Sequence, residues 1–123
     1  RGDTAIALFW QMKKAGKALT LTNAGSKLSP KSLERDFVYV GDVADALEKA
    51  AESKRTGQGE VINIGSGKTT SIEDIAMIIG DNIVWIPKRD YEVEKHQADI
   101  IKAKQLLNWN PTIDVLQWLE NDV

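Results

Sequence analysis

Two stretches of this chain bring together residue types that can bind an anion. In the first, Glu34-Arg35-Asp36-Phe37-Val38-Tyr39-Val40-Gly41-Asp42, an arginine stands at the entrance of a short β-rich run. A guanidinium placed there can leave the sheet edge and reach an anion through its planar fork without being buried unpaired. The plainer reading pairs Arg35 on the surface with Asp36 or Glu34. The second stretch, Gly65-Ser66-Gly67-Lys68-Thr69-Thr70, ends as a P-loop does, with backbone amides, a lysine and a hydroxyl that could cradle phosphates and magnesium. Its spacing departs from that motif, because Ile62 stands where the first glycine belongs. A tight loop leading from a strand into a capped helix accounts for both glycines without a nucleotide. His96 could be named a general base, but a lone histidine more often faces solvent from a loop.

The elements that must position these residues follow from periodicity and punctuation. Phe37-Val38-Tyr39-Val40 reads as a strand, and Asp42 stands where the N-cap of the next helix belongs, giving strand, sharp turn and helix. That helix is expected over residues 43 to about 53, with Ala44, Leu47 and Ala51 at helical spacing, and Thr56-Gly57-Gln58-Gly59 ends it. Upstream, Asp3 can cap a first helix running to about Ala15, stopped by Gly16, with Ile6, Phe9, Trp10 and Met12 as its apolar surface. Leu19-Thr20-Leu21-Thr22 alternates at period two, as a half-buried strand does, and a polar loop fills the stretch from Asn23 to Glu34.

Downstream, Val61-Ile62-Asn63-Ile64 is a brief apolar run of the kind found inside a parallel sheet. Ser71-Ile72-Glu73-Asp74 has capping-box spacing, predicting a helix to about Ile79 with Gly80 as its stop. A strand is expected over residues 82–86, closed by Pro87. Asp99 can cap a helix over residues 100–107, and Thr112 or Asp114 starts a last helix with Leu116 and Leu119 inward. Trp10, Trp85, Trp109 and Trp118 read as packing anchors. Strands alternating with helices predict an α/β arrangement.

A length of 123 residues suits one domain with a single core. Hydrophobic content of 42% and charged content of 28% are ordinary for a globular chain and argue against disorder. Lys and Arg number 16 against 18 Asp and Glu, and no basic block is interleaved with aromatics, so nucleic acid is a poor partner. The absence of cysteine excludes a disulfide framework and thiol catalysis, and one histidine cannot by itself make a zinc site. No apolar run approaches the ~20 residues of a membrane helix.

Four segments in order carry a resemblance. Arg35-Asp36-Phe37-Val38-Tyr39-Val40 with Asp42-Val43, then Val61 through Gly67, then Arg89 to Glu92, and finally Asp99 through Pro111 resemble the extended short-chain dehydrogenase/reductases, the NAD-dependent nucleotide-sugar epimerases and dehydratases. The similarity runs over nearly the whole chain but only over the carboxyl-terminal half of that family. It implies an α/β fold: the carboxyl-terminal, substrate-binding part of such an enzyme, residues 1–123 as a single domain, without the dinucleotide-binding domain and most of the Rossmann sheet.

The resemblance implies roles residue by residue. Arg35 and Arg89 match the two arginines that approach the pyrophosphate of a UDP- or dTDP-sugar, and Glu92 matches the acidic position at the ribose hydroxyls. Leu19 to Leu21 matches the strand whose backbone groups read the nucleobase. Two positions depart from the family, Tyr91 where glycine is usual and Gly41 where an acidic residue is common. Tyr91 and Lys95 repeat the catalytic Tyr-x-x-x-Lys spacing, but after the matched segments rather than before them, and so read as chance.

NAD belongs to the parent enzyme, whereas this chain has no Gly-x-x-Gly-x-x-Gly turn after an amino-terminal strand and is expected neither to bind NAD nor to be active alone. No metal is implied. The expected partner is a nucleotide-diphosphate sugar, the expected state a homo-oligomer, and the expected location cytoplasmic. The chain begins at Arg1 rather than methionine, which fits a missing amino-terminal part. In the resembled fold residues 61–64 form an outer strand laid against that part, so self-association or internal rearrangement is expected. The alternatives are a stand-alone binding or interaction module that kept the fold without catalysis, and a phosphate-transferring enzyme using Lys68.

Overall fold

A computed structural model describes residues 4–122. In chain order the elements are α1 (Ala5–Lys14), β1 (Leu19–Asn23), β2 (Glu34–Arg35), α2 (Val40–Glu52), β3 (Thr70–Ser71), α3 (Ile72–Ile79), β4 (Ile83–Pro87), α4 (Ile101–Leu107) and α5 (Val115–Asp122). The expected cap Asp3 lies outside the described residues. α1 ends where its glycine predicts, with Gly16 at φ +68, a conformation in which other residues are strained.

The alternation in Leu19-Thr20-Leu21-Thr22 sorts the strand into two faces. Leu19 and Leu21 are buried, whereas Thr20 and Thr22 are only half-buried. β1 pairs in parallel with β4, from Leu19 against Ile83 to Asn23 against Pro87. Helices α1, α3 and α5 close over this ribbon, and Phe9, Leu19, Leu21, Ile75, Ile79 and Leu119 form the first core. The start of α3 is held as its sequence predicts, since Ser71 Oγ accepts the Asp74 N–H at 3.0 Å. Asp114 does the same for α5, accepting from Leu116 N at 2.9 Å and Gln117 N at 3.2 Å.

A second core joins α2 to α4 through Ala46, Ile100, Ala103, Leu107 and the fully buried Trp109. Here three sequence expectations give way. Asp42 does not cap α2: the helix begins at Val40, after Tyr39, and Asp42 lies within its first turn. Its buried carboxylate instead accepts hydrogen bonds from Thr112 N at 2.9 Å, Thr112 Oγ1 at 2.7 Å and Ile113 N at 3.1 Å. The inward face of α2 is the one with Asp42 and Ala46, so Leu47, expected inward, is 68% exposed. Periodicity locates an apolar stripe but not the side on which a partner lies.

The third correction concerns strands. Only Glu34–Arg35 is strand in the central run, and residues 37–39 and 61–64 have no ladder partner among the described residues. Residues 61–64 still alternate in exposure, with Val61 and Asn63 out and Ile62 and Ile64 half-buried against the second core. Such a segment has strand character in its side chains without the hydrogen bonds that make it a strand.

Candidate functional site

A cavity of ≈ 560 Å³ opens between α1, the outer face of β1, Arg35 and the turn that follows β4. Arg35, Arg89 and Glu92 all line it, although more than fifty positions separate the first two. Leu19 and Leu21 do not: their side chains are core, and the same strand presents Thr20 and Thr22 to the cavity. These two threonines are candidate site residues that the sequence reading did not single out. The signal was present in the alternation, because leucines turned inward put the intervening threonines on the opposite face.

Local structure sets each charged group. Arg35 is half-buried in β2, which pairs antiparallel with β3 through Arg35 against Thr70, and its Nη1 donates to Glu34 O at 2.8 Å. Arg89 and Glu92 close a turn: Glu92 N donates to Arg89 O at 3.1 Å, and the Glu92 carboxylate accepts from Arg89 N at 3.2 Å. The exposed Arg89 side chain donates to Tyr91 Oη at 3.2 Å. Among the described residues no carboxylate forms a salt bridge with either guanidinium. Two guanidinium groups without an ion pair among the described residues therefore line one cavity, beside the Glu92 carboxylate, and such a pair suits an anion with oxygens to offer both, such as a diphosphate.

The glycine-rich loop at residues 65–67 already holds an anion of the chain itself. Asp36 accepts from Ser66 N at 2.7 Å, Ser66 Oγ at 2.6 Å, Gly67 N at 2.9 Å and Ala98 N at 3.1 Å. Burial pushes the Asp36 carboxyl up and is the largest single influence, but the four hydrogen bonds together outweigh it and hold the group below its ordinary 3.8. Lys68 pairs with Asp114, and Thr69 Oγ1 donates to Glu34 at 2.8 Å. The amides, lysine and hydroxyl that suggest a P-loop are thus engaged within the chain. Nor do these residues fit a dinucleotide pyrophosphate, since the Ser66 and Gly67 amides of this loop are taken by the Asp36 carboxylate and β3 separates the loop from α3.

Tyr91 is 77% exposed, and Lys95 lies in a parallel bridge to Glu34. His96 is exposed and its backbone N–H donates to Glu34 O at 3.2 Å. Among the described residues no cluster of three or more His, Cys, Asp or Glu side chains could hold a metal ion, and no helix is long and apolar enough to cross a membrane.

Comparison with known proteins bears on this geometry. The sequence model of the NAD dependent epimerase/dehydratase family matches residues 4–65. The UDP-glucuronate 4-epimerase of Thermodesulfobacterium geofontis is 40% identical over 96 residues, 72% of this chain and 29% of that protein. The UDP-glucose 4-epimerase of Mycolicibacterium smegmatis is 27% identical over 124 residues, 96% of this chain and 37% of that protein. Among solved structures, the UDP-glucuronic acid 4-epimerase of Bacillus cereus in complex with UDP-glucuronic acid and NAD matches with a TM-score of 0.78 at 30% identity, over 98% of this chain and 38% of that one. The chain thus spans about a third of the length of these proteins.

Proposed function

The chain belongs to the NAD-dependent epimerase/dehydratase family, and on that premise we propose that it forms the sugar-nucleotide-binding part of an enzyme acting on a nucleotide-diphosphate sugar. The observation that carries this reading is the meeting of Arg35 and Arg89, unpaired by any described carboxylate, on one cavity of ≈ 560 Å³. In it the two guanidinium groups hold the diphosphate, Glu92 accepts from the ribose hydroxyls, and the backbone of β1 around Leu19 and Leu21 lies beside the base. Thr20 and Thr22 add hydroxyl donors on the cavity face.

NAD, bound elsewhere in the complete enzyme, supplies hydride chemistry at a sugar carbon. The residues described here orient the substrate, and by this reading the chain alone binds no NAD and turns nothing over. Solved relatives that hold UDP-sugars, such as the Bacillus cereus epimerase, support the substrate class. A calorimetric comparison of UDP, UMP and uridine on the full-length protein tests the reading. Affinity should fall in that order, because the second phosphate is what two cations can share. Equal affinity for UDP and uridine would overturn it.

A further inference from the structure

We propose that Asp36 positions the two arginines of the cavity against each other, by clamping the strand that carries Arg35 to the segment that carries Arg89. The proposal rests on the sugar-nucleotide reading and identifies what sets the spacing of its diphosphate site.

Arg35 is the last residue of β2 and Asp36 the next in sequence, yet the two line different hollows. Arg35 lines the cavity with Arg89 and Glu92, whereas Asp36 lines a different hollow beside Gly65 and Ala98. One carboxylate oxygen of Asp36 takes the Ser66 N–H and O–H, and the other takes the N–H groups of Gly67 and Ala98. Asp36 is therefore not the ion partner of Arg35 that adjacency in sequence suggests. Its acceptor capacity is spent on the far side.

Ala98 lies on the stretch that runs from the Arg89 turn into α4. The other neighbour of Arg35, Glu34, grips the middle of that stretch, donating from its N–H to Glu94 O at 2.8 Å and accepting at its carbonyl from His96 N at 3.2 Å. Arg35 thus sits between two ties to one segment. The Glu34 tie is backbone alone and survives most substitutions. The Asp36 tie depends on a carboxylate, because asparagine offers one acceptor oxygen and turns an NH2 toward groups that also donate. The fit is close as well: a Cβ added at Gly65 would meet Ala98 Cβ at 2.5 Å and Asp36 Oδ2 at 3.0 Å.

The test compares UDP with uridine on Asp36→Asn, Arg35→Ala and the double variant of the full-length protein. Asp36→Asn should weaken UDP by about fivefold or more while changing uridine by less than about twofold. Arg35→Ala should cost less UDP affinity in the Asp36→Asn background than alone, because the displaced guanidinium is already contributing less. Parallel loss of UDP and uridine affinity, undisturbed UDP binding, or independent effects in the double variant would overturn the proposal. Should Asp36→Asn fail to fold, Gly65→Ala and Ser66→Ala carry the same criterion, pressing on the clamp from the other side. If Arg35→Ala leaves UDP binding unchanged, the sugar-nucleotide reading itself has failed. The clamp is then judged without ligand, by hydrogen exchange at the Gly67 and Ala98 amides that Asp36 accepts from, which should quicken in Asp36→Asn and whose constancy would refute it.

Discussion

Asp42 and Thr112 are joined by two hydrogen bonds, 2.9 Å from the Thr112 N–H and 2.7 Å from its hydroxyl, across seventy positions of sequence. The Asp42 carbonyl adds a third tie to the same region by accepting from Trp109 Nε1 at 2.9 Å. One residue in the first turn of α2 thereby fastens the stretch between α4 and α5.

Removing that carboxylate should destabilise the protein. Asp42→Ala leaves the Thr112 and Ile113 amides without their acceptor, and an unsatisfied buried group costs about 1–3 kcal/mol. Asp42→Asn should cost less, since one acceptor oxygen remains. Urea denaturation of both variants measures the difference, and equal stability of Asp42→Ala and the parent would contradict the role assigned here.

The same group sets a pH dependence. Burial pushes the Asp42 carboxyl up most strongly of any single influence, but the hydrogen bonds from Thr112 and Ile113 outweigh it and hold the group below 3.8. A carboxyl whose folded value is depressed contributes stability above its unfolded value of about 3.9 and loses it as pH falls through the folded value. Asp36 acts in the same direction. Stability should therefore be flat near neutrality and fall below about pH 4, and Asp42→Asn should flatten that acid limb. Thermal melts from pH 7 downward give the profile, with an unchanged limb in Asp42→Asn as the contrary result.

The tryptophans should separate sharply. Trp109 is fully buried and hydrogen-bonded, so Trp109→Ala should cost about 3–5 kcal/mol. Trp118 is 39% exposed at the mouth of an apolar hollow, and its truncation should cost distinctly less. Chemical denaturation of the pair checks the ranking.

Charge at the cavity should outweigh charge at the glycine-rich loop. A hydrogen bond to a charged group contributes about 1.5–3 kcal/mol, so Arg35→Ala or Arg89→Ala should weaken UDP-sugar binding about tenfold to a hundredfold. Lysine at either position should recover part of the loss, keeping charge without the planar fork. Lys68→Ala should leave affinity nearly unchanged, because that lysine is engaged with Asp114. Titration calorimetry on the full-length protein decides, and a damaging Lys68→Ala beside two neutral arginine variants would reverse the assignment.

Residues 61–64 should make the 123-residue chain associate. Val61 is 79% exposed and the run has no ladder partner among the described residues, so its backbone can pair with a second copy. Sedimentation should show concentration-dependent self-association that Val61→Lys reduces. A strictly monomeric parent would count against it.

Features that depend on a few adjacent residues could be read from the sequence alone. Gly16 ends α1, Ser71 caps α3 and Gly80 follows it, and Leu19-Thr20-Leu21-Thr22 divides its faces, because backbone sterics, capping and the pleat act within a turn or two. The resemblance marked Arg35 and Arg89 in the same way, through short runs of residue types. Tertiary structure decided what depends on a distant partner. Whether an apolar run becomes a strand requires another strand beside it, which residues 37–39 and 61–64 lack among the described residues. Which face of α2 turns inward required Ala103 and Trp109 to be in place, so Ala46 is buried and Leu47 is not. Asp36 and Asp42 look like surface or capping carboxylates until their donors arrive from thirty to seventy residues away. A buried carboxylate is tolerated only where such donors converge, and convergence is a property of the folded chain.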